Sequence, residues 1–165
     1  EADVALGVRE MMHLFGAAGP PDAATRARLV DDLLRAVLEG ENPWPRASPF
    51  MRAPHFEPIL HTREKRPVFL VADSLPAEVR EHWKERVHLI SRAELRARSD
   101  RLPALYFTLS PVQVAGPFAR IGISYGERES RAFDEAPIGY AGSTTAYLLR
   151  TPDGWMLVAL QRWVT

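Results

Sequence analysis

Apolar residues recur at helical spacing at Val4, Val8, Met11, Met12 and Phe15, and Gly16, Gly19, Pro20 and Pro21 close that segment. A second helix is predicted from Asp22, placed as an N-cap, to Gly40. Its stripe is Leu29, Val30, Leu33, Leu34, Val37 and Leu38, and Arg26, Arg28, Asp31, Asp32 and Arg35 take the other face. Two amphipathic helices joined by a short linker form a helical hairpin, and neither can bury its stripe except against another layer.

Periodicity fails between Glu41 and Pro67, where Pro43, Pro45, Pro49, Pro54, Pro58 and Pro67 exclude helix interior and central strand alike. The segment reads as a wrapping loop, with Trp44, Phe50, Met51, Phe56, Ile59 and Leu60 to dock it. Val68 to Val71 is β-rich. Asp73 or Ser74 is then expected to cap a helix carrying Pro76 in its first turn and running to about Glu85. Val87 to Ile90 is a further short apolar run, and Ser91-Arg92-Ala93-Glu94 has the form of a capping box.

The remainder is strand signal. Leu105 to Leu109 is rich in β formers, and Ala119, Ile121, Ile123 and Tyr125 alternate with Arg120, Gly122 and Ser124, so one face of that strand is wet. After a loop around Glu127 to Ser143, the runs Thr144 to Arg150 and Trp155 to Val164 flank Thr151-Pro152-Asp153-Gly154, a hairpin turn. The last run is apolar on both faces, which predicts a central strand covered on both sides. The chain is thus expected to be one domain over 1–165, with a helical hairpin (1–40), a wrapping loop (41–67) and a mixed, then antiparallel, sheet (68–165). The fold class is α+β, two N-terminal helices packed on a curved antiparallel meander formed mainly by the C-terminal third.

Over Leu102 to Thr165, "FARIGISYG" followed by "TAYLLRTPDGWMLVALQRW" resembles the closing strands of NTF2-like (cystatin-like) α+β domains of bacterial proteins. The resemblance implies a sheet curled into a cone. Such hollows bind small apolar molecules, host isomerase or dehydratase chemistry, or are filled.

Twenty-one basic and 21 acidic residues leave no net charge, which argues against a nucleic-acid role. Absence of cysteine excludes disulfides, thiolate metal sites and cysteine nucleophiles. No apolar run approaches the roughly 18 residues of a membrane span. Cytoplasmic and exported locations are both compatible with this composition, with a lean to exported.

Candidate chemistry is sparse. His55, Glu57 and His61 form a His/Glu/His set that could hold zinc, but prolines at 54 and 58 prevent a regular helix and the spacing matches no zinc motif. Asp73 paired with His82 or His88 would make an acid/base site, although helix capping explains Asp73 equally well. Tyr125, Tyr140, Tyr147 and Trp155 can line a ligand site, and they suit sheet packing as readily. Gly139, Tyr140 and Gly142 give the loop before the closing hairpin a composition suited to a lid. Phosphate loops, nucleophile elbows and paired carboxylates are missing. The expectation is a non-enzymatic domain without cofactor, binding a small apolar ligand or a protein partner through a concave sheet face. A homodimer is compatible with it. The alternatives are an isomerase, dehydratase or hydrolase in a conical cavity, and a structural interaction module of an exported protein.

Overall fold

The computed structural model describes residues 13, 15–45, 67–97, 104–128 and 140–164. The predicted first helix lies outside them except at its end, where Phe15–Ala17 forms a 3-10 turn. Helix α1 spans Ala23–Leu34 and continues as one π-helical turn, Arg35–Glu39. Asp22 caps it as expected, its carboxylate accepting from the Thr25 backbone N–H at 2.8 Å. Gly40 ends it with φ 75°, a left-handed conformation that a side chain would disfavour.

Among the described residues seven strands form one mixed sheet, β1 Val68–Val71, β2 His88–Ile90, β3 Ala104–Leu109, β4 Gln113–Ala115, β5 Phe118–Arg128, β6 Tyr140–Thr151 and β7 Gly154–Val164. The order is β2-β1-β3-β5-β6-β7, with β4 paired to β5 beside this path. The strands β3, β5, β6 and β7 are antiparallel neighbours. Both β2 and β3 run parallel to β1, one on each side of it. Parallel neighbours need crossovers, supplied here by helices α2 (Ala77–Trp83) and α3 (Arg92–Ala97). Because the two crossovers leave in opposite directions, a common right hand puts their helices on opposite faces. Val79 and Trp83 of α2 accordingly pack with Val68 and Leu70, whereas Leu95 of α3 packs with Val71, Ala104 and Tyr106.

The main core lies between α1 and the inner sheet face. Leu29, Leu33, Leu34 and Leu38 meet Phe107, Ile121, Ile123, Leu148 and Leu157, all fully buried. A smaller cluster of Phe15, Tyr147 and Ala159 lies on the outer face.

Three local expectations are corrected. Helix α2 ends at Trp83 rather than near Glu85, and neither Asp73 nor Ser74 caps it: Pro76 occupies the N-cap position with no side-chain cap. Asp73 instead accepts from the Arg92 backbone N–H at 2.8 Å, at the start of α3. That contact joins the carboxyl ends of β1 and β2, where their following loops part to opposite faces. Lastly, among the described residues β7 is not central but the terminal strand of the sheet. Its two-sided apolar pattern comes from a register shift between Tyr147 and Leu148, which leaves Val158 unmatched. Before it, Trp155 and Leu157 point to the main core. After it, Ala159 joins the outer cluster.

Candidate functional site

The sequence candidates fall into separate places. Tyr125 pairs with Gly142 and faces the main core, while Tyr147 pairs with Arg120 and faces the other side of the sheet. Trp155, buried, lies beside the α1 N-terminus, in a shallow groove of about 350 Å³ lined also by Thr25, Arg28, Arg150 and Asp153. Tyr140 begins β6, its side chain lying outside the described residues, as do His55, Glu57 and His61 in full. Among the described residues no group of histidines and carboxylates is arranged to hold a metal ion. Of the proposed lid, the chain is described to Arg128 and again from Tyr140, within strands β5 and β6.

His88 is exposed on β2, its ring 5.2 Å from Phe69, which stacks on Tyr106 at 5.4 Å. The Phe69 and His88 rings border an open groove of about 430 Å³ with Lys84 and Glu94. His82 finds a carboxylate, but Asp31 rather than Asp73: its Nδ1 lies 2.8 Å from Asp31 Oδ1. The Trp83 indole donates to the same oxygen at 2.8 Å, and Arg35 lies 3.0 Å from Oδ2. Asp31 is 20% exposed and His82 39%, so the pair bridges α1 and α2 at the surface. Neither groove is lined by it. The sequence placed Asp31 on a solvated helix flank, and no spacing connects it to a histidine 51 residues on.

The second arrangement missed by sequence is on the outer sheet face. Two adjacent rows cross the strands there. Thr108, Ser124, Ser143 and Trp163 are registered in one, and Gly122, Thr145 and Gln161 in the other, with Ser110 donating its backbone N–H to the Gly122 carbonyl. A Cβ on Gly122 would stand 3.1 Å from Thr145 Oγ1 and 3.3 Å from Ser110 Oγ, which shows how closely these hydroxyls gather. Ser110 and Ser124 are exposed and Thr108, Ser143 and Thr145 half-buried. Bulkier groups stand on either side. Tyr106 on Phe69 forms one wall. The other holds Tyr147 and Arg120, whose guanidinium lies 5.3 Å from the Phe15 ring and is hydrogen-bonded to Gln113. The result is a trough floored by small uncharged polar residues and ending at Trp163, which is 63% exposed and the one exposed large apolar side chain among the described residues.

Comparison of the chain with protein-family models, with curated proteins and with solved structures finds no match. No helix of the described residues is long and apolar enough to cross a membrane.

Proposed function

We propose that the chain is a non-enzymatic binding domain that holds a protein partner in the trough on its outer sheet face. The composition of the floor carries this reading. A sheet face turned to water ordinarily bears long charged side chains, which keep other chains away. Here Gly122 and the short side chains of Thr108, Ser110, Ser124, Ser143 and Thr145 let a partner approach the backbone closely, and the serines and threonines offer hydroxyls that donate or accept. The open, polar floor favours a protein surface over a small apolar ligand, because such ligands are held by enclosure in apolar pockets. Trp163 at the rim is the residue type most enriched among interface hot spots. The resemblance of the closing strands to NTF2-like domains suits the same reading, a sheet face used for binding. Filling the floor tests it. Ser124→Trp projects from an exposed position, so the melting temperature should stay unchanged, while partner retained by the wild type in native mass spectrometry of gently purified protein should be lost. Equal retention by both proteins would count against the trough.

The His82–Asp31 hydrogen bond favours a second reading, acid/base catalysis at the surface between α1 and α2. A carboxylate on Nδ1 fixes the tautomer and turns Nε2 outward as a base. On that reading, hydrolysis of a panel of activated esters by the wild type falls to background in His82→Ala. An unchanged rate removes it.

A further inference from the structure

We infer that the crevice at the carboxyl ends of β1 and β2 binds a phosphate group, held between the guanidinium groups of Arg26 and Arg80. Strands β1 and β2 are parallel neighbours. The chain leaving β1 passes to α2 on the inner face, whereas the chain leaving β2 passes to α3 on the outer one. Two loops that part in this way open a crevice between them, the place where parallel sheets hold their ligands. The crevice is built from the continuous stretches 15–45 and 67–97, and Asp73, Ser74 and Arg92 on its loops are exposed.

Positive charge gathers there from two helices. Arg26 of α1 donates from Nη2 to the Ser74 carbonyl, and Arg80 of α2 donates from Nη2 to the Ala72 carbonyl at 3.0 Å. Both carbonyls belong to one turn, closed by the Leu75 N–H on the Ala72 carbonyl at 3.1 Å. A guanidinium carries five donors, so one bond to the turn fixes each fork in place and leaves its other nitrogens for an oxyanion. Neither group forms an ion pair among the described residues, whereas their neighbours Arg28, Arg35 and Arg86 do. The carboxylates nearby are engaged elsewhere. Asp73 accepts from the Arg92 N–H and Glu94 from the Ser91 N–H, each at 2.8 Å, so an anion is received by the guanidinium groups and not by the start of α3. Glu78 stands two residues from Arg80 on α2, a spacing that puts the two side chains on different sides of the helix. Phosphate is favoured over a carboxylate because one fork satisfies a planar carboxylate, while the three terminal oxygens of a phosphate monoester can engage two forks arriving from two helices. The trough is formed by β3, β5 and β6, so each reading can fail without the other.

Isothermal titration calorimetry of the intact chain at low ionic strength tests the site with two probes, inorganic phosphate and glycerol 3-phosphate. One saturable site is expected, with an affinity that falls as chloride is raised. Tighter binding of glycerol 3-phosphate identifies an ester as the ligand, and equal binding identifies the free ion. Arg26→Lys and Arg80→Lys keep the charge and a donor for the turn but lose the fork. Each should bind phosphate about 10-fold more weakly with an unchanged melting temperature. Arg28→Gln, two residues from Arg26 on α1 and paired with Asp32 in the wild type, should bind as the wild type does. Absence of saturable binding for both probes, or equal affinity in the wild type and both lysine variants, overturns the inference.

Discussion

At Asp31 a single carboxylate receives an imidazole, an indole and a guanidinium, and the weight each carries depends on burial. Trp83 is 0% exposed, so its N–H has no route to water if the acceptor is removed. Asp31→Ala should therefore destabilise the fold by about 1–3 kcal/mol, mainly through that orphaned donor. Trp83→Phe in the same background should recover part of the loss, a double-mutant cycle that urea denaturation can read. Asp32, one residue on, behaves oppositely. Burial raises its carboxyl above the ordinary 3.8, an effect only partly offset by the Arg28 guanidinium. A folded pKa above the unfolded one means that the folded state binds the proton more tightly, so stability falls as pH rises through the folded value. Asp32→Asn should consequently be more stable than the wild type at neutral pH, with the gain fading as pH drops toward 3.8. Asp22 and Glu94 carry the reverse sign. Thr25 holds Asp22 below 3.8 and Ser91 holds Glu94 below 4.5, so their stabilisation is present above those values and is lost as pH falls through the lowered ones.

At the scale of elements, what the sequence made legible was local chemistry. The Asp22 cap, the Gly40 stop and the hairpin at Thr151 to Gly154 depend on side chains within a few positions of each other, and each is formed. The capping box is reciprocal, with Ser91 N–H on Glu94 Oε2 at 2.8 Å and Glu94 N–H on Ser91 Oγ at 3.1 Å. Elements were misjudged where a distant partner decided the outcome. Asp73 has the composition of a cap for the next helix, but the parallel pairing of β1 with β2 brings the start of α3 closer. In β7 a register shift counterfeited the pattern of a central strand. Gly142 is a further case, a β6 glycine with no turn to justify it. Tyr125 lies across it: a Cβ there would stand 2.5 Å from the Tyr125 hydroxyl and 2.7 Å from the Trp163 carbonyl. Gly142→Ala must displace a ring or a strand, and it should cost about 1–3 kcal/mol, as overpacking does. Gly16→Ala, with open space around its Cα, provides the control, and chemical denaturation of the two variants separates packing from glycine entropy.

On the scale of the whole molecule, the sheet combines two construction rules, a parallel β2-β1-β3 unit with crossovers on both faces and an antiparallel ladder β3-β5-β6-β7. The inner layer was visible in the sequence because leucines on one helix and alternating residues on several strands share a period with the face they bury. Of the outer face only the wet side of β5 was visible, because the hydroxyl residues form a floor only once the register aligns Thr108, Ser124 and Ser143. This architecture also dictates how stability is distributed. Strands β5 and β6 pair with each other over ten residues and each has a further strand on its other side, so their core amides are released only when the sheet as a whole opens. At the far edge, β2 has three residues that pair with β1 alone among the described residues, and its amides can exchange by local fraying. Native-state hydrogen exchange should therefore give the β5 and β6 core amides a common opening free energy equal to that of global unfolding, with β2 well below it. If β2 were protected as strongly as β6, its parallel pairing to β1 would have to be part of the same cooperative unit, and the sheet could not be divided into a stable ladder and a weaker crossover edge.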